Sequence, residues 1–233
     1  MKKFLFVLFF GVISTTSFAE TEKFEGFTIE LSGGYQNTDS SGNNLAIVDG
    51  VLSKVLFVSG FDDKDSIYEV GGSYNFAISE KFLLGVGFDY SINDIKTGRS
   101  TAYANVVGGV YAAWNEHELK DVYSIYIKPQ LVINENALIY GKLGYVNADL
   151  SITKGAREYV SSSDKSMNGY ILSAGYKTIL NQSVFGFVEV NYTKFDKEYT
   201  TINGIDFGEN DFTHSDLVDM ASYAVKFGLG YQF

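Results

Sequence analysis

The chain has 233 residues, with 18 Lys and Arg against 28 Asp and Glu, giving a formal charge of −10; it holds 19 Phe, 17 Tyr, 24 Gly, one Pro and no Cys. The absence of cysteine excludes a disulfide framework, and an acidic chain without a basic stripe offers nothing to nucleic-acid phosphates. Abundant Tyr, Phe and Gly, with few Leu-rich helical runs, suits strands that face lipid on one side.

In chain order, Lys2 and Lys3 precede the apolar run Phe4 to Ile13, and Ser17-Phe18-Ala19 places small residues at −3 and −1 of a cleavage site. This three-part layout reads as a secretory signal over residues 1–19, leaving residues 20–233 as one domain. The run is shorter than the roughly 20 apolar residues of a membrane helix, and no other segment approaches that length.

Alternation with period two carries the rest of the reading. Phe27, Ile29, Leu31 and Tyr35 share a face opposite Thr28, Glu30, Ser32 and Gly34. Tyr68, Val70, Tyr74, Phe76 and Ile78 follow, then Phe82 to Ile92, whose other face holds Gly85, Gly87, Asp89 and Ser91. Tyr123 to Ile133, Ile139 to Tyr145, Tyr170 to Tyr176 and Val184 to Tyr192 repeat the pattern. The last strand is the clearest: Tyr223, Val225, Phe227, Leu229, Tyr231 and Phe233 alternate with Ser222, Ala224, Lys226, Gly228, Gly230 and Gln232.

These eight segments are joined by tight polar turns at Ser79-Glu80-Lys81, Asn134-Glu135-Asn136 and Asn181-Gln182-Ser183, and by long polar stretches near 37–65, 94–121, 150–166 and 196–217. The expected fold is all-β, a transmembrane antiparallel up-and-down β-barrel of eight strands. Residues 45–58 and 102–114 are apolar enough to make ten the alternative count. Pro129 lacks a ladder donor in mid-strand, for which a bulge is the simple explanation.

Candidate chemistry is sparse. His117 and His214 fall in or beside long connections, and the string His214-Ser215-Asp216 lacks the geometry of a triad, because neighbours on an extended chain point apart. The acids of 196–217 could ligate a hard cation, but no EF-hand spacing is present, so no metal and no cofactor is expected. The inward faces say more: Glu30, Glu69, Asp89 and Glu189 stand with Lys81, Lys128, Lys142, Lys177 and Lys226. An eight-stranded interior is only wide enough for side chains, so these charges must pair as a plug. The expected pairs are Lys226 with Glu30, on last and first strands, and Lys128 and Lys142 around a shared acid.

The signal, the eight alternating segments, Tyr126-Ile127-Lys128-Pro129, Tyr140-Gly141-Lys142-Leu143-Gly144-Tyr145 and the terminal Tyr231-Gln232-Phe233 resemble the small outer-membrane β-barrel proteins of the OmpA/OmpX type, over essentially the whole mature chain. The resemblance implies an assembly signal in Phe227, Leu229, Tyr231 and Phe233, read by the barrel-assembly machinery. It also implies passage past periplasmic chaperones and contact with outer-membrane lipids and lipopolysaccharide. The alternation of short and long connections places the termini in the periplasm of a Gram-negative cell, with the long loops outside. A monomeric, non-enzymatic barrel is expected, with a structural, envelope-integrity or adhesin-like role carried by loops that meet an extracellular ligand. A narrow porin-like channel is the alternative, and a lipid-A-modifying enzyme stands behind both.

Overall fold

The computed structural model describes residues 21–48, 51–53, 55–58, 61–106, 109–156, 159–205 and 211–233; the expected signal segment lies outside them. A single 3-10 turn, Glu22–Phe24, precedes strands β1 (Gly26–Val48), β2 (Val51–Ser53), β3 (Val55–Val58), β4 (Phe61–Ala77), β5 (Phe82–Ser91) and β6 (Ile95–Val106). There follow β7 (Gly109–Asn134), β8 (Ala137–Ala156), β9 (Tyr159–Ile179), β10 (Val184–Phe195), β11 (Glu198–Ile205) and β12 (Asp211–Gln232).

All pairings are antiparallel, and β12 pairs with β1, so the sheet closes on itself. Two strands continue others. β6 extends β5 along β7 after a break at residues 92–94, and β11 extends β10 along β12 after Asp196-Lys197. The wall is therefore an eight-stranded closed barrel, not ten. Within 45–58 and 102–114, the described backbone forms the end of β1, the short β2 and β3, and the outer ends of β6 and β7.

The long connections expected as loops are largely laddered strand. β1 pairs with β12 as far as Val48↔Phe212, and β8 with β9 as far as Ala156↔Tyr159. Alternation fades there because neither face must meet hydrocarbon, while the backbone ladder continues. The three tight turns match the expectation; Asn136 N and Gln182 N donate to the Oδ1 of Asn134 and Asn181, at 2.9 and 2.7 Å. Pro129 causes no bulge. The β7–β8 ladder passes from Ile127↔Leu143 to Gln130↔Tyr140 in one register, and the missing donor is simply skipped.

The stagger of the closed sheet follows from the registers. Asp39 leads through Ala221, Lys194, Tyr170, Tyr145, Ile125, Phe88 and Gly72 back to Ile29, ten residues along β1. For eight strands this corresponds to a tilt of roughly 40°. One outward tyrosine from each strand follows the same stagger: Tyr35, Tyr68, Tyr90, Tyr123, Tyr145, Tyr170, Tyr192 and Tyr223. Tyr90↔Tyr123, Tyr145↔Tyr170 and Tyr192↔Tyr223 face each other directly. From this ring to Phe233 the outer surface is apolar over roughly 25 Å, the height of a lipid-facing belt.

Inward aromatics fit because glycine faces them. A side chain at Gly175 would occupy the ring of Tyr140, and one at Gly230 the ring of Phe185. Gly175→Val should destabilise the barrel by about 1–3 kcal/mol through overpacking. Heat-modified mobility on gels should show an earlier melt, and Tyr140→Ala in the same chain should restore part of it.

Candidate functional site

The lumen has three layers. At the end bearing the tight turns, Phe24, Leu83, Val132, Leu138 and Tyr140 pack with Ile179. Phe24 is fully buried, so the 3-10 turn stops this mouth. It is held by Glu25, whose Oε1 accepts from Ala77 N at 2.9 Å and whose carbonyl accepts from Gln232 Nε2 at 2.5 Å.

The middle layer is ionic. Glu30, Glu69, Asp89, Glu189, Lys128, Lys142, Lys177 and Lys226 are all buried, four acids facing four lysines. Small residues stand opposite most of them and leave them room: Gly230 and Gly71 beside Glu30, Ser32 and Ser91 beside Glu69, Gly71 and Ser124 beside Asp89, and Ser173 beside Lys142. Glu189 is the centre. Lys226 lies directly across the ladder, 3.0 Å from its Oε1, and Lys142 makes a 2.9 Å charge contact with its Oε2. With its amide oriented to suit its neighbours, Asn191 donates to Glu189 Oε1 at 2.8 Å and accepts from Lys226 at 2.8 Å.

Two expected pairings are corrected. Lys226 bonds Glu69 and Glu189, not Glu30. β1 and β12 are neighbours, but Lys226 faces Gly34 while Glu30 faces Gly230, four residues away. Glu30 instead takes Lys128 at 3.2 Å, whose ammonium also meets Ser73 Oγ at 3.0 Å. Lys142 goes to Asp89 at 2.9 Å and to Glu189, so Lys128 and Lys142 share no acid in these contacts. Tyr126 stands between the groups, 4.4 Å from Lys142 and 6.0 Å from Lys128, measured from the ring centre. Lys177 lies over the Phe185 ring at 3.5 Å and donates to Gln232 Oε1 at 3.3 Å. Lys81 is on the exposed turn, not in the lumen.

The outer layer is apolar again: Ile67, Ile95, Leu119, Leu150, Met167 and Met220, among others, form a collar. Between collar and network lies a cavity of about 30 Å³, bordered by Glu69, Asp89 and Asn191 on one side and by Leu119 and Phe195 on the other. That is room for one or two waters. The collar was missed in the sequence, although Met220 and Val218 continue the inward parity of Lys226, Ala224 and Ser222. In β7 the parity breaks at a bulge between Lys120 and Tyr123, where Asp121 has φ 48° and accepts from the Tyr90 hydroxyl at 2.8 Å.

Beyond the tyrosine ring the wall divides. The β9–β10 ladder ends at Gly169↔Phe195, with a last bond from Asp196 N to Asn168 O at 2.7 Å. Among the described residues no ladder then joins β9 to β11; the Lys165–Glu198 ion pair, at 2.7 Å, spans the gap. On the other side, side chains replace the ladder between β4 and β6: Asn93 bonds Tyr68 N and Ser66 O at 2.9 Å, and Asp65 takes Lys96 N at 2.8 Å. The outer extension is thus two sheets, β9-β8-β7-β6-β3 and β11-β12-β1, with β4 and then β2 on the far side of β1.

His117 is buried on the inward side of β7, and its carbonyl accepts from Thr97 Oγ1 at 3.0 Å. The side chain of His214 lies outside the described residues, as do those of 199–217, so the acidic stretch is described only in part. Among the described residues no group of three His, Asp or Glu is arranged to hold a metal. The four residues expected as an assembly signal, Phe227, Leu229, Tyr231 and Phe233, all point outward and are exposed on β12 and at its end.

A closed antiparallel cylinder with an apolar belt outside and paired charges inside is an integral membrane β-barrel. The chain belongs to the outer membrane protein beta-barrel domain family, which matches residues 5–233, and its place is the outer membrane. No curated protein sequence matches it. Among solved structures it is similar to the outer membrane protein OprG from Pseudomonas aeruginosa, with 18% identity, a TM-score of 0.55, and 90% of this chain and 97% of that one covered; this likeness is one of fold. Ail, the attachment invasion locus protein of Yersinia pestis, matches at 17% identity and a TM-score of 0.42, over 86% of this chain and 99% of that one. The outer membrane protease OmpT from Escherichia coli matches at 11% and 0.41, over 94% and 99%.

The ion pairs give a direct test. A double-mutant cycle on Lys226→Met and Glu189→Gln should show coupling of at least about 1 kcal/mol, and one on Lys226→Met and Glu30→Gln clearly less. Either single change in the first pair should cost about 3–5 kcal/mol, read from urea unfolding in micelles. Equal coupling in both cycles would contradict the observed pairing.

Proposed function

We propose that this barrel is a non-enzymatic, non-conducting scaffold that binds an extracellular polypeptide through its outer wall. The observation that carries the reading is the gap between β9 and β11, where two strand edges lack a ladder partner among the described residues. An unpaired edge is a template for an added strand, with main-chain bonds supplying affinity and flanking side chains supplying selectivity. The Asn168 carbonyl takes the last ladder bond, from Asp196 N, and strand parity turns the backbone groups of Asp164 and Ser162 to the same side, into the gap.

The two apolar layers support the absence of conduction. Ions crossing the lumen would have to pass both the Phe24 stopper and the Leu119–Met220 collar, and either is a dewetting barrier. A channel would require both layers to part. For catalysis, no described nucleophile, base and acid converge, which favours neither lipid-A chemistry nor proteolysis.

Selection of randomised extended peptides against the whole protein in nanodiscs should yield binders to wild type. Asp164→Pro, which removes a gap-facing donor while leaving the β8 ladder, should weaken them at least tenfold. Failure to select any binder, or binders indifferent to the proline, would refute edge recognition, and stepwise planar-bilayer currents would refute the closed lumen. We further propose that the tight turns and both termini face the periplasm. A protease site at Gly204 should then be cut on intact cells and one at Glu135 protected; the reverse would invert the orientation.

A further inference from the structure

A segment that precedes the first strand of a domain is ordinarily loose unless something ties it down. Here Thr21 and Phe24 are fully buried, while Glu22 and Lys23 between them are exposed. The segment has a fold of its own: Phe24 N donates to Thr21 O at 2.8 Å and Glu25 N to Glu22 O at 3.4 Å. It therefore moves as one piece, and it joins the wall through a single unusual residue. Gly26 has φ +97°, and a Cβ there would stand 3.0 Å from Phe233 O. Glycine takes that conformation at no steric cost, so the chain can turn sharply at Gly26 from the line of β1 into the mouth of the lumen.

The groups that hold the segment come from strands far apart in the chain. Glu25 Oε1 accepts from Ala77 N at the end of β4, and Glu25 O accepts from Gln232 Nε2 at the end of β12. Gln232 Oε1 in turn accepts from Lys177 Nζ on β9 at 3.3 Å. Phe24 packs in one cluster with Leu83 of β5, Val132 of β7, and Leu138 and Tyr140 of β8. In the wall, β8 lies four strands from β1 in either direction, so the segment reaches across the lumen. That seat is complete only after β12 has met β1. The β1–β12 seam is also the one ladder of the wall whose two strands follow each other through no connection, and the segment ties the ends of β12, β1 and β4 together there.

We propose that Thr21–Glu25 is a latch hinged at Gly26, which seats only in the closed barrel, bars the mouth at the tight-turn end and locks the β1–β12 seam. The latch is separate from the β9–β11 gap and does not depend on peptide binding there. Contacts made only after closure are absent from the barrier to folding, so they slow unfolding and leave the folding rate unchanged. Release of the latch opens the lower layer of the lumen to water, whereas the collar at the other end stays shut.

The chain has no cysteine of its own, so a single engineered thiol reports access. In the full chain refolded in micelles, Leu138→Cys, in the cluster with Phe24, should react slowly with a charged methanethiosulfonate reagent. Adding Phe24→Ala should speed that reaction at least tenfold. Gly26→Val, which keeps the Phe24 side chain but denies the hinge its conformation, should do the same. Ile95→Cys in the collar should react slowly in all three backgrounds. Both latch variants should also unfold at least tenfold faster in urea, with the refolding rate unchanged. Heat-modified mobility verifies that each variant starts folded. A Leu138→Cys thiol indifferent to the latch variants, a collar thiol released along with it, or a loss that falls on refolding rather than unfolding would overturn the latch.

Discussion

Hydrocarbon offers no hydrogen-bond partner, so a chain that crosses it as strands must pair every backbone amide and carbonyl within itself. The pairing of β12 with β1 satisfies this demand by removing both sheet edges, from Thr28↔Gln232 outward. Closure with a stagger of ten residues then sets the tilt and the width. Eight strands at that tilt leave an interior that side chains fill. The lumen is therefore a core, and any polar group in it must find its partner among other side chains.

That narrow core explains the alternation of layers. Glu189 and Lys226 face each other directly, and Glu69, Lys142 and Asp89 gather around them because glycine or serine lies opposite. Replacing such a network by apolar residues could be neutral for stability, since its desolvation offsets much of its attraction. Its stronger effect is on register. A slip of one residue in any strand would turn that strand's buried charge toward lipid and its belt residues inward. The network thereby acts with the belt to permit one closure, and apolar layers cap it at either end.

Above the tyrosine ring the demand for closure disappears, because water can satisfy a free edge. The wall responds at once. The Asp121 bulge re-phases β7, Asn93 and Asp65 substitute side-chain bonds for a ladder, and β9 parts from β11. The open edge of β9 lies where the membrane stops constraining the backbone.

The sequence by itself determined the strand count, the turns and the lipid-facing residues. Lipid imposes a period-two pattern that residues such as Phe227, Leu229 and Tyr231 display openly, and the inward burial of the charged residues, Lys81 on its turn excepted, follows from the same parity. It did not determine which charges pair, since that depends on register. Lys226 and Glu30 sit on adjacent strands, yet four residues of offset separate them, and Lys226 meets Glu189 instead. Nor could it show that the polar stretches continue as ladders, because strands exposed to water on both faces carry no hydrophobic period. The outer collar, the divided wall and the seat of Phe24 were decided only by tertiary structure, which brings together groups from strands distant in the chain.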